Sequence, residues 1–129
     1  MQHAGNGVAI YVKDLLQLAG FYQTVLGYQL AQQDPGFVLL QGATNALILV
    51  TMPAELAAEI DITVPPAIRE ETPIKPLFVV GSIAAARQQA ALLGGAIRPV
   101  EQEWQFGSFR VCDGYDPEGN IFQLREEPA

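Results

Sequence analysis

Gly7-Val8-Ala9-Ile10-Tyr11-Val12-Lys13-Asp14-Leu15 is an apolar strand running into a helix start, and Leu26-Gly27 closes that helix. Lys75-Pro76-Leu77-Phe78-Val79-Val80-Gly81-Ser82-Ile83 repeats the plan, and Gly94-Gly95 closes it. Asp14 and Ser82, the two helix caps, lie 68 residues apart, and so do Gly27 and Gly95. In a chain of 129 residues, a repeat this long means two copies of one supersecondary unit. Two such units can enclose a cleft, and the side chains at equivalent cleft positions then decide the chemistry.

Working outward from the first copy, residues 8 to 12 read as a strand, and the Asp14 carboxylate can accept from the free N–H groups of the next segment. Leu15, Leu18, Ala19, Tyr22, Val25 and Leu26 recur at helical spacing up to Gly27. Residues 28 to 33 read as a short strand and Asp34-Pro35-Gly36 as a turn. Residues 37 to 40 and 46 to 51 read as strands around Gly42-Ala43-Thr44-Asn45. Residues 52 to 73 hold four prolines and read as a connector with one helical turn at 54 to 59. In the second copy, Ser82 caps an alanine-rich helix. Residues 96 to 100 read as a strand, Trp104-Gln105-Phe106-Gly107 as an aromatic loop, 109 to 112 as a strand, 113 to 120 as a loop and 121 to 125 as the last strand.

The expected fold class is α+β: two repeated βαβββ modules forming a curved mixed sheet around a cleft. One domain spans 1–129, with module one at about 6–52, a connector at 53–73 and module two at about 74–126. Each helix covers one face of its strands, and the opposite faces line the cleft.

The net charge of −7 argues against nucleic acid, which needs clustered Lys and Arg. It would attract a cationic ligand, or simply keep the protein soluble. No apolar run approaches the ~20 residues that span a bilayer, so no membrane partner is expected. No charged stretch followed by an apolar one opens the chain, so no signal peptide is expected. The single cysteine, Cys112, cannot form an internal disulfide, which fits a cytoplasmic location.

Val12-Lys13-Asp14-Leu15, Phe21-Tyr22 and Leu26-Gly27, followed by Asp116-Pro117-Glu118-Gly119-Asn120, resemble the vicinal oxygen chelate superfamily over nearly the whole chain. That group contains glyoxalase I, extradiol dioxygenases, fosfomycin-modifying enzymes and the bleomycin- and mitomycin-binding resistance proteins. The resemblance implies a U-shaped cleft and a homodimer. Its metal-dependent members place a ligand, typically His or Glu, on the first and last strand of each module. The matching positions here are Gly7, Leu49, Lys75 and Gln123. Glycine and leucine have no ligand atom, lysine would have to lose its proton, and Gln123 is a weak neutral donor. The one histidine, His3, sits in the N-terminal tail. We therefore expect no metal and no cofactor.

Strand alternation puts Ala9 and Tyr11 with Gly7 on the cleft face. It likewise adds Leu47 to Leu49, Leu77 and Val79 to Lys75, and Ile121 and Arg125 to Gln123. The expected ligand-binding residues are Tyr11, Leu49, Lys75, Leu77, Trp104, Phe106 and Gln123. Lys75 is the candidate catalytic group, as an anion clamp or, if desolvated, a base; it could equally pair with a nearby acid. Trp104 and Phe106 could stack on a planar guest or plug an interface. Arg110 and Arg125 could hold a carboxylate or pair with Glu or Asp. Cys112 reads as a buried strand residue, and the Asp116–Asn120 stretch as turn chemistry.

Three functions stay open. One is a metal-free protein sequestering a small, partly aromatic or cationic molecule. Another is a metal-independent lyase or isomerase acting on a small carbonyl or carboxylate compound through Lys75. The third is a structural module whose cleft is filled by Leu47, Leu49, Leu77 and Ile121.

Overall fold

A computed structural model describes residues 6–128. The chain runs β1 (Asn6–Val12), α1 (Leu15–Leu26), β2 (Gln29–Asp34), β3 (Phe37–Gln41), β4 (Asn45–Thr51), a short α2 (Ala54–Glu59), β5 (Leu77–Val80), α3 (Ile83–Leu92), β6 (Ala96–Ile97), β7 (Trp104–Phe106), β8 (Phe109–Tyr115) and β9 (Ile121–Glu126). The strands form two mixed sheets, ordered β1-β4-β3-β2 and β5-β9-β8-β6, with β7 added beside β8. In each sheet the first and last strands of the module pair in parallel and the others run antiparallel. The α+β class and the repeated module thus stand. Among the described residues no helix is long and apolar enough to cross a membrane.

The caps form as expected. The Asp14 side chain accepts from the Gln17 N–H, the Ser82 hydroxyl accepts from the Ala85 N–H, and Gly27 closes α1 at φ 71°. Module one departs from the sequence reading by one or two residues at strand ends, and the larger differences fall in module two. The strand expected at 96 to 100 stops at Ile97, because Pro99 has no N–H for a ladder and the chain turns into a 3₁₀ turn, Val100–Gln102. The aromatic loop is strand β7, hairpinned onto β8 through Gly107 at φ 60°. β8 runs on to Tyr115, so Asp113 is a strand residue opposite Gln123.

The helices α1 and α3 pack on each other, and the inner faces of both sheets turn toward them. A single core results. Phe21 and Tyr22 of α1 meet Phe78 of β5 and Phe122 of β9, with ring centroids 5.2 to 6.2 Å apart in tilted and edge-on contacts. Leu47 and Leu49 belong to this core, which corrects the expectation that they share a face with Gly7, Ala9 and Tyr11. In the β1–β4 register Val8 stands beside Leu47 and Ile10 beside Leu49 on the inner face, while Gly7, Ala9 and Tyr11 stand beside Ala46, Ile48 and Val50 on the outer face. A one-residue error in phase moves every side chain of a strand to the other face. Leu47 and Leu49 therefore cannot fill a cleft.

Asp116-Pro117-Glu118-Gly119-Asn120 does more than turn the chain. The Tyr22 hydroxyl donates to Asp116 Oδ2 at 2.6 Å, deep in the core. Asp116 Oδ1 accepts from the Glu118 and Asn120 N–H groups at 2.8 and 3.0 Å, and the Asn120 amide adds a further donor. The buried Glu118 carboxylate accepts from the N–H groups of Lys13 and Asp14 at 2.7 to 2.9 Å, just before α1. A negative group there also suits the positive end of the helix dipole. Gly119 sits at φ 84°, and a Cβ on it would lie 2.0 Å from the Ala67 carbonyl oxygen, so only glycine lets the connector lie against this loop. Asn120, a residue type able to take the left-handed region, does not adopt it here.

Two outcomes follow from this clasp. Glu118→Ala strands two N–H groups beneath the connector and should cost about 2–4 kcal/mol, read as a Tm lower by roughly 6–15 °C; an unchanged Tm would refute the role. Burial raises the Asp116 carboxyl above the ordinary aspartate range, against the opposing pull of its Tyr22 and Asn120 hydrogen bonds. Its folded pKa then exceeds its unfolded one, so its contribution is fullest in acid and is lost as pH rises through the folded pKa. The stability advantage of the native chain over Asp116→Asn, measured by urea unfolding, should shrink from mildly acid to neutral pH, and an advantage that grows would contradict it.

Candidate functional site

The outer face of the second sheet gathers most of the residues with site chemistry. Cross-strand partners share a face, so the register arranges that face in rows. Leu77, Gln123 and Asp113 form one row, followed by Val79, Arg125, Val111 and Trp104, and then Phe109 with Phe106. Leu77 and Val79 are exposed, as are Trp104 at 40 % and Phe106 at 59 %.

Lys75 lies just before β5. Its ammonium reaches Asp113 Oδ2 at 2.8 Å, and the Gln123 amide donates to Asp113 Oδ1 at 3.2 Å. The three groups form one network, of which Lys75 and Asp113 line a small pocket of about 210 Å³ together with Tyr115 and Ile121. The lysine remains largely in contact with solvent, whereas a lysine base needs to be stripped of it.

One row along, the Arg125 guanidinium lies 4.8 Å from the Phe109 ring centroid and 5.3 Å from that of Phe106. Of the two arginines expected either to hold a carboxylate or to pair with one, Arg110 approaches Glu103 at 3.6 Å, whereas Arg125 packs on rings. Glu103 also receives Arg87 at 2.5 Å. Cys112 is buried on the inner face, and burial pushes its thiol upward while the neighbouring Arg87 opposes this, which describes an inert structural thiol.

Tyr11 is 57 % exposed, but on the first sheet's outer face, with Ala9, Ile48 and Val50. Leu49 is fully buried in the core and lines neither outer face. Lys75, Leu77, Trp104, Phe106 and Gln123 are thus brought together, Tyr11 stands on the other module, and Leu49 is withdrawn. Sequence reasoning passed over Asp113 and Phe109. The alternation Phe109, Val111, Asp113, Tyr115 against Arg110, Cys112, Gly114 was the signal that the strand continues and turns both toward the site.

The four positions matched in sequence to the superfamily's metal ligands do not suit a divalent transition metal. A Cβ at Gly7 would sit 2.6 Å from the Ala46 carbonyl oxygen, so no ligand side chain fits there without moving the strand. Leu49 faces inward, Lys75 carries a charge matched by Asp113, and Gln123 offers a neutral amide. No group of three or more His, Cys, Asp or Glu side chains converges among the described residues, and His3 lies outside them. A groove of about 910 Å³ opens at the start of α1, where the Glu118 carboxylate is already taken by backbone N–H groups.

Comparisons with known proteins agree with this architecture. Among solved structures, a glyoxalase/bleomycin resistance protein/dioxygenase family enzyme from Burkholderia phytofirmans PsJN aligns at TM-score 0.66 with 20 % identity, covering 95 % of this chain and 97 % of that one. A genomically encoded fosfomycin resistance protein from Listeria monocytogenes aligns at 0.64 with 17 % identity, over 99 % and 93 %. An antibiotic-binding protein from Streptomyces sp. CB03234 aligns at 0.62 with 20 % identity, over 99 % and 98 %. At such identities the likeness concerns the fold. No curated protein matches the chain. Residues 7–125 match the glyoxalase-like domain, and the chain belongs to that family.

Proposed function

We propose that this protein binds a small, flat, partly aromatic molecule on the outer face of its second sheet, without a metal. One observation carries the reading: Trp104, Phe106 and Phe109 frame Arg125, Gln123 and the Lys75–Asp113 pair on a face left uncovered in the single chain. An apolar frame around a few placed polar groups is the usual make-up of a small-molecule site. The likeness of the fold to an antibiotic-binding protein from Streptomyces supports a binding role. Lys75 and Asp113 supply oriented polar groups; with the ammonium in an ion pair and open to water, binding is favoured over proton abstraction.

The site needs a roof. Within one chain the helices fill the space between the modules, and the exposed Tyr11, Leu77, Val79, Trp104 and Phe106 all lie on the two outer faces. Uncovered apolar patches of this kind mark interaction surfaces. A homodimer placing the first-sheet face of one copy, with Tyr11, Ile48 and Val50, over the second-sheet face of the other closes a cleft twice, by symmetry.

Two results test this. Sedimentation at micromolar concentration should give a dimer, and a monomer throughout would remove the roof. In a thermal-shift screen with flat aromatic compounds, any hit should lose affinity about 5- to 30-fold in Trp104→Ala, matching ~1–2 kcal/mol of stacking. The unliganded Tm should stay within about 2 °C, since an exposed side chain contributes little to stability. Binding unaffected by this change would place the guest elsewhere.

A further inference from the structure

We propose that Arg125 anchors an anionic subsite that takes the carboxylate of a flat aromatic acid; this deepens the small-molecule reading above and rests on it. The chain has 14 acidic and 7 basic side chains, so a cation that is neither paired with an acid, bonded to a carbonyl nor open to water stands out here. Lys75, Arg87, Arg98 and Arg110 each have a carboxylate. The Lys13 ammonium donates to the Ile60 carbonyl, and Arg69 lies exposed on the connector. Arg125 is only partly exposed, and among the described residues no carboxylate or carbonyl receives its N–H groups. Its Nε is buried without an acceptor.

The geometry says what is missing. Phe106 and Phe109 hold the face of the guanidinium, at 5.3 and 4.8 Å. Rings supply attraction to that face but no acceptor in the plane where its donors point. A carboxylate fills such a plane with two parallel hydrogen bonds, and an ammonium or a neutral amide cannot. The other charges of this face, Lys75 and Asp113, neutralise each other, so the unbalanced charge of the site is that of Arg125. Trp104, across Val111 in the same row, offers its ring to the body of the acid. Phe106, at the exposed end of the β7–β8 hairpin, is the side chain that turns aside as the acid reaches Nε. The anion is therefore recognised by Arg125 rather than by Lys75, against the overall charge of −7.

The test is calorimetric titration of the full-length protein with 2-naphthoate, 2-naphthamide and 2-naphthamidine, which share one ring system and differ in charge. Naphthoate should bind tightest, and its affinity should fall with added NaCl while that of the amide stays level. Arg125→Met, which keeps an apolar stem between the two rings, should weaken naphthoate at least tenfold. Arg125→Lys should recover only part of the loss, because charge without the planar fork is not enough. Should Arg125→Met fail to fold, the salt dependence and Arg125→Lys still decide. If the amide or the amidine binds as well as naphthoate, or Arg125→Met binds it undiminished, the anionic subsite is refuted and the small-molecule reading stands. If Arg125→Met converts a dimer to monomers without changing naphthoate affinity, a partner carboxylate is the acceptor and the proposal is refuted. If none of the three compounds binds, both readings fall.

Discussion

The structure depends on a clasp between the end of the chain and its beginning. Asp116 and Glu118, in the loop between the last two strands, are almost fully buried; one receives the Tyr22 hydroxyl from α1, and the other receives the N–H groups of Lys13 and Asp14. A buried carboxylate is tolerable only when its oxygens are fully hydrogen-bonded. Glu118 obtains this wholly, and Asp116 in part, from residues about a hundred positions away in sequence. Satisfying them therefore requires both modules to be folded and in register, and it sets α1 against the second sheet. The aromatic core of Phe21, Tyr22, Phe78 and Phe122 then packs in the only relative placement the clasp allows.

Because the helices occupy the interior, the surface proposed above for binding lies outside. Inner and outer faces alternate along each strand, so the sequence that builds the core also presents Leu77, Val79, Gln123 and Arg125 outward. Module two has the richer outer face, since β7 widens it with Trp104 and Phe106. Module one offers a plainer apolar surface around Tyr11. The two repeats thus present different outer surfaces, one with polar and aromatic groups and one plainly apolar, while sharing one backbone plan.

Much of this was legible in the sequence. The repeat, the caps at Asp14 and Ser82, the closing glycines and the α+β class need only local signals. The second-sheet face was also readable, because Leu77, Val79, Gln123 and Arg125 alternate cleanly. The failures have physical causes. Leu47 and Leu49 sit in a run, Ala46-Leu47-Ile48-Leu49-Val50, that is apolar at every position, so periodicity cannot say which residues face inward; pairing with β1 decides it. Trp104 and Phe106 form a strand because β8 offers them an edge, a non-local fact. The Asp116–Glu118 clasp looked like a turn because turn residues and buried carboxylate anchors are the same residue types, and only the distant donors distinguish them.

The fit of the connector against Gly119 has a consequence for assembly. The Arg69 N–H donates to the Gly119 carbonyl at 2.9 Å, and the Ala67 carbonyl fills the space a side chain would need. The segment joining the modules is thus sewn to the clasp and is not a free hinge. Exchange of whole modules between two chains would have to unpick the clasp, the connector and the shared aromatic core together. Whole-module exchange is thus the costly route to any assembly of this chain, and contact between finished surfaces the cheaper one.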